Sequence, residues 1–239
     1  MEKKSKNKKS RFFHQAKVVQ IEGGYTVYLD DKPVKTPKGH LQLLPSKSLA
    51  DAIANEWRSQ SLNIDPYTMP LCGFANSAID RMKESRQRII NDILKYAMTD
   101  LLFYRSSGPD ELVTRQNEQW QPLINWAEEK YGVKFRVTVG ILPIKQSDQM
   151  IEILRKKIQE LDDMYLIALS SIIITTGSMI ISLALAEGKI DVHQAFDLAS
   201  LEEIFQNERW GTVQESEIRQ KNLKKDVSSA ALFLSLLGS

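Results

Sequence analysis

Between Asp163 and Glu187 the chain runs for 23 residues without a charge, MYLIALSSIIITTGSMIISLALA. No other feature limits the fold as much. A stretch of that length is long enough to cross a bilayer as a helix. Its composition argues against that: six of the 23 residues are Ser or Thr, gathered around Gly177, and both flanks are acidic. A spanning helix carries basic anchors on its cytoplasmic side. A helix that is apolar nearly all round also suits the centre of a water-soluble helical domain, with other helices packed about it. Small residues along it let those neighbours approach closely. We therefore expect a buried central helix here and no stable membrane insertion.

The flanking sequence supplies the neighbours. Ile89, Ile93, Tyr96, Ala97, Leu101 and Tyr104 form one stripe at helical spacing, ending before Ser106-Ser107-Gly108-Pro109. Leu112, Val113, Gln116 and Trp120 form the next, and Pro122 then kinks that helix or opens another that stops at Gly132. Val133, Phe135, Val137 and Val139 alternate, which predicts a short extended piece. Helical patterning resumes near Ser147, with Ile151, Leu154, Ile158 and Leu161 on one face.

Residues 17–45, KVVQIEGGYTVYLDDKPVKTPKGHLQLLP, follow a different rule. β-Branched and aromatic residues alternate between turn signals at Gly23-Gly24, Asp30-Asp31 and Pro37 with Gly39, so a meander of short strands is predicted. Leu49, Ala50, Ile53, Ala54 and Trp57 then share a helical face, with Ser48 and Asp51 as a cap. LNIDPYTMP, with two prolines, reads as a connection. The predicted class is α+β: a small β-rich amino-terminal region followed by a larger helical carboxy-terminal domain. The expected divisions are a basic disordered tail at 1–10, a β-rich domain with one helix at 11–70, and a helical domain at 71–239.

The net charge of +2 is unevenly spread, because residues 1–17 carry seven basic side chains and one acid. Short lysine runs are usually solvated, and no nucleic-acid partner is expected from this one. The run lacks the apolar core of a signal peptide and the arginine-rich amphipathic pattern of a mitochondrial presequence, so a bacterial cytoplasm is the expected location. Three histidines (His14, His40, His193) and a single cysteine, Cys72, give no metal-ligand pattern. Gly188-Lys189 lacks the rest of a phosphate-binding loop, and no nucleophile elbow, H-E-x-x-H pair or dinucleotide fingerprint occurs. No cofactor and no metal are expected.

Among thirty acids only the adjacent Glu202 and Glu203, in LEEIFQNERWG at 201–211, stand out locally. Neighbours on a helix point about 100° apart, so the two do not flank one scissile bond. On a continuous helical wheel Glu203 and Trp210 fall within about 20° of Val192, and Phe196 within about 60°. That places a carboxylate in an apolar stripe. Three readings follow: an internal pair with a basic residue of a neighbouring helix, a surface on which Phe196, Glu203 and Trp210 meet a protein partner, or, least favoured, catalysis.

The order of motifs resembles a known family. RFF at 11–13, GGYTVYLDDKPVKTP at 23–37, LADAIANEWRSQ at 49–60, IDPYTMPL at 64–71, ANSAID at 75–80, DLLFYR at 100–105, QWQPLINWAEEKYGV at 119–133 and LEEIFQNERWG together are similar to the ATP-twelve family. These are assembly chaperones of the F-type ATP synthase catalytic sector. Cys72-Gly73-Phe74 departs mildly from a pattern that often has Thr and Leu. The resemblance implies a non-enzymatic role: binding the unassembled α subunit and shielding its interface until the β subunit replaces it, as a monomer without cofactor. Members occur in mitochondria and in bacteria. The family's Glu in L-[DE]-E-x-[FY]-Q falls on Glu203, with Glu202 beside it, and both are expected to bind the partner with Phe196 and Trp210. The family's Trp in E-W falls on Trp57, expected to be structural. The alternative is a small-molecule enzyme with a cleft between the two domains.

Overall fold

The computed structural model describes residues 9–211 and 214–238. They divide into two compact units, one of the residues up to Glu84 with those from Leu232 onward, the other from Ser85 to Ala231. Position 70/71, where the sequence suggested a boundary, is instead the first turn of a helix, Pro70–Met98, that continues across the division.

In the first unit the predicted meander is present as β2 (Ala16–Ile21), β3 (Gly24–Leu29) and β4 (Lys32–Pro33), antiparallel throughout, with Val18 opposite Val27. Gly23, at φ 84°, makes the first turn. At Gly24 the backbone of Leu44 comes so near that a β-carbon would strike its carbonyl oxygen. Asp30 makes the second turn at φ 53°, and its carboxylate accepts from the amides of Gln15 and His14 at 2.9 and 3.0 Å. Most of the expected basic tail, residues 1–8, lies outside the described residues. Lys9–Ser10 (β1) is not tail, however, but pairs antiparallel with Asn63–Ile64 (β5) inside the expected connection.

The helix Lys47–Arg58 (α1) buries Leu49, Ala50, Ile53 and Ala54 and packs on β2 and β3. Its cap is Ser46, two residues before the one expected, whose hydroxyl accepts from the amide of Leu49. The start of the helix Pro70–Met98 (α2) is capped by Glu56 of α1, its two oxygens accepting from the amides of Leu71 and Cys72 at 2.8 Å each. That satisfies donors every helix start leaves open.

In the second unit α2 ends at Met98, six residues short of the expected stripe. The carboxylate of Asp100 accepts from the amide of Leu102 and diverts the chain into a short 3-10 turn, Leu101–Phe103, followed by β6 (Tyr104–Arg105). β6 pairs in parallel with β7 (Thr138–Val139), the part of the expected extended piece that is a strand. Asp110–Tyr131 (α3) continues through Pro122 and stops at Gly132, φ 65°. Asp148–Gln159 (α4) is capped by Ser147.

The uncharged stretch is two helices, where one was expected: Asp163–Thr176 (α5) and Met179–Ala186 (α6). Gly177, at φ 70°, ends the first and Ser178 caps the second. The hydroxyls that argued against a bilayer build this break, with Thr176 Oγ1 within 3.0 Å of Ser182 Oγ. The fully buried Asp100 closes it by accepting from the amide of Ile180 at 3.1 Å. Among the described residues no helix is long and apolar enough to cross a membrane. Val192–Ala199 (α7), Leu201–Trp210 (α8) and Gln214–Leu237 (α9) complete the chain.

Candidate partner-binding site

The single wheel drawn over residues 190–210 does not describe the structure, because the chain leaves helical geometry at Ser200 and restarts as α8. Phe196 lies on α7, whereas Glu202, Glu203 and Trp210 lie on α8. Leu201 and Phe205 are the buried residues that seat α8. Two guanidinium groups lie over the Phe205 ring, Arg209 at 4.6 Å and Arg115 at 5.3 Å. Arg115 of α3 is bidentate to Glu208, at 3.0 and 2.9 Å, and Arg209 pairs with Glu111. The guanidinium hydrogen bond holds the Glu208 carboxyl below its ordinary range. These pairs straddle α3 and α8 and fix the register between them.

Glu202 is oriented from beneath. Gln116, fully buried on α3, donates its Nε2 to Glu202 at 2.6 Å, while its Oε1 accepts from the amide of Ser106 at 2.8 Å. Arg105 donates to the backbone carbonyl of the same glutamine at 2.8 Å and lies 5.2 Å from the Trp120 ring. Burial pushes its guanidinium down to about 10, which leaves it charged at neutral pH. Trp120 in turn donates to the carbonyl of Leu198, tying α3 to α7.

Glu202 stands where two grooves meet. One, of about 850 Å3, is bounded by Leu101, Trp120, Ile174, Glu203 and the side of α9 that carries Ile218 and Leu223. The other, of about 680 Å3, is bounded by Tyr104, Arg105, the loop Ser106–Pro109, Phe205, Ile141 and Trp210. Leu101, Gly177, Glu202 and Gln206 line both. The rim is unusually apolar for open surface, with Trp210 75% and Ile141 92% exposed. Among the described residues Glu202 forms no salt bridge; its partner is the neutral amide of Gln116.

Glu203 points the other way. It accepts from Ser216 Oγ and pairs with Arg219, both on α9, and only 20% of its side chain is exposed. Phe196 also faces α9, with the Lys224 ammonium 5.8 Å from its ring centre. The structure thus brings Phe196 and Glu203 to one neighbour and Glu202 with Trp210 to another surface. Trp57 belongs to the first unit, half-buried and edge-on to Phe13 at 5.7 Å. Among the described residues no three His, Cys, Asp or Glu side chains gather as a metal site would require. Burial pushes the Cys72 thiol up to about 11, so it is unreactive at neutral pH.

A family model described as ATP12 chaperone protein matches residues 10–128. Over a much longer span the chain superposes on the crystal structure of Atp12 from Paracoccus denitrificans with a TM-score of 0.91, at 36% identity, covering 95% of this chain and 98% of that one. The chain belongs to the ATP12 chaperone family. Mitochondrial ATP12 relatives are more distant in sequence. The Schizosaccharomyces pombe protein is 27% identical over 235 residues, covering 93% of this chain and 81% of its own. For the Saccharomyces cerevisiae protein the figures are 25% over 255 residues, 88% and 78%. The matched span of the ATP12 family model ends inside α3, so α8 and α9 lie beyond it, while the Paracoccus likeness extends over nearly the whole chain.

Sequence reasoning missed Arg105, Ser216 and Arg219, none of which sits near Glu202 or Glu203 in a single helical turn. Gln116 did leave a signal, since it is the one polar residue in an otherwise apolar α3 stripe. A buried amide at such a position must find partners on both of its ends.

Proposed function

We propose that this ATP12-family chaperone binds the unassembled α subunit of the F-type ATP synthase at the surface where its two grooves meet, and shields the α interface until the β subunit displaces it. One observation carries the reading: a carboxylate held by a buried neutral amide, with no cation paired to it among the described residues, set in an exposed apolar rim. Such a group is complementary to a cationic side chain or a free N–H presented by an apolar protein surface. Trp210 and Ile141 supply anchors on one side of Glu202, and Ile174 on the other. No catalysis and no cofactor are involved. Release by competition between interfaces of different size requires no nucleotide. A bacterial cytoplasm suits that sequence of events.

The reading is tested by titrating purified α subunit against the wild-type chain, Glu202→Lys and Glu202→Gln. Glu202→Lys should weaken binding at least tenfold, because it sets a cation where one is to be received. Glu202→Gln keeps an acceptor for Gln116 and should lose less. Wild-type affinity in a folded Glu202→Lys protein would overturn the proposal.

A further inference from the structure

We infer that the first half of α9, Gln214–Asp226, is a flap latched by Glu203 across the groove that receives the client. The inference rests on the client reading only for its last step. Every side chain described from Gln214 to Asp226 is exposed or partly exposed, whereas Val227 and Ala230 just beyond are fully buried. Its sequence, QESEIRQKNLKKD, offers Ile218 and Leu223 as the only large apolar residues, so it has no stripe with which to bury itself.

Polar contacts hold it instead. Ser216 Oγ and Arg219 both bond to Glu203, Asn207 Nδ2 donates to Ser216 at 3.4 Å, and Lys224 lies over Phe196. One group is worse off for the closure: Gln220 Nε2 is buried with no acceptor among the described residues. An amide in that state costs free energy that opening would recover. Beneath lie Leu101, Trp120, Ile174 and Ala199, an apolar floor that flap opening would extend. Segments with few buried apolar contacts open at low free energy while their surroundings stay folded. Glu203 is then a latch in the closed form and a free carboxylate in the open one, and client association scales with the open fraction.

Hydrogen exchange on the full-length chain tests the flap without any client. Amides at 214–226 should exchange well ahead of those at 227–231. Arg219→Gln should speed them a further two- to fivefold, roughly what a half-exposed ion pair supplies, and leave α5 and α6 unchanged. The double reversal Glu203→Arg with Arg219→Glu should restore slower exchange. In stopped-flow mixing with purified α subunit, Arg219→Gln should raise the association rate by the same factor. Exchange at 214–226 as slow as at 227–231, or unmoved by Arg219→Gln, overturns the flap. Faster exchange with an unchanged association rate overturns the gating. Failure of even the wild-type chain to bind α would sink the client reading and leave the exchange result standing.

Discussion

Asp100 gives the sharpest quantitative test of the second unit. It is fully buried between the end of α2 and the start of α6, and burial pushes its carboxyl from 3.8 up to about 6 although backbone amides, those of Leu102 and Ile180 among them, and the Ser178 side chain donate to it. At roughly 1.4 kcal/mol per tenfold change, the ionised form penalises the native state by about 3 kcal/mol above pH 6. The sign follows from proton uptake: between the two pKa values the folded chain holds a proton that the unfolded chain has released. This contribution to stability therefore falls as pH rises from 3.8 through about 6, and it is recovered on acidification. Between pH 7 and pH 5 the recovery amounts to about 1 kcal/mol from the same relation.

Asp100→Asn removes the titration. Its amide oxygen still accepts from Leu102, but its NH2 then faces the donor of Ile180, a loss of about 1–3 kcal/mol that is independent of pH. Urea unfolding of both proteins at pH 7 and pH 5, followed through the signal of the second unit, isolates the difference. The wild type should gain about 1 kcal/mol on Asp100→Asn at the lower pH, near 0.5 M in midpoint for a slope of roughly 2 kcal/mol/M. A gap that stays constant, or that moves in the opposite direction, would refute the assignment of an elevated pKa to a buried Asp100.

Three further outcomes are expected. Gly24→Ala should lower the melting temperature of the first unit by several degrees, about 1–3 kcal/mol, since its β-carbon must displace the Leu44 carbonyl from a paired backbone; an unchanged melting curve would contradict that contact. Cys72 should resist a thiol-specific chromogenic reagent at pH 8 in the native protein and react at once in denaturant, because its thiol is buried and raised to about 11; fast native labelling would count against it. Gln116→Leu strands both the amide of Ser106 and the carboxylate of Glu202, so it should destabilise by about 1–3 kcal/mol and weaken α-subunit binding as well. A stability loss with full affinity would show that Glu202 needs no help from Gln116.

Much of the fold was legible because it is local. Alternation at residues 17–29 can only half-bury as strands, and Ser147 and Gly132 bound their helices by hydrogen-bond chemistry that acts within a turn. Legibility failed where a side chain from elsewhere intervened. Asp100 ends α2 and anchors α6 across eighty positions of sequence, and the stripe continuing to Tyr104 gave no sign of it. The candidate site shows the same division. Glu202 and Glu203 were conspicuous as a pair, but a wheel drawn through Ser200 assigned their faces on the premise of one helix, and Ser200 breaks that premise.

By itself the sequence determined the class of fold, the uncharged centre, the family likeness and the neighbourhood of the site, since periodicity, turn chemistry and motif order are properties of short windows. Only the tertiary structure decided which carboxylate is already neutralised. Arg219 reaches Glu203 from sixteen positions away and Gln116 reaches Glu202 from eighty-six. An ion pair or a buried amide bond depends on distances of a few ångströms between helices, and no helical period encodes which helices become neighbours.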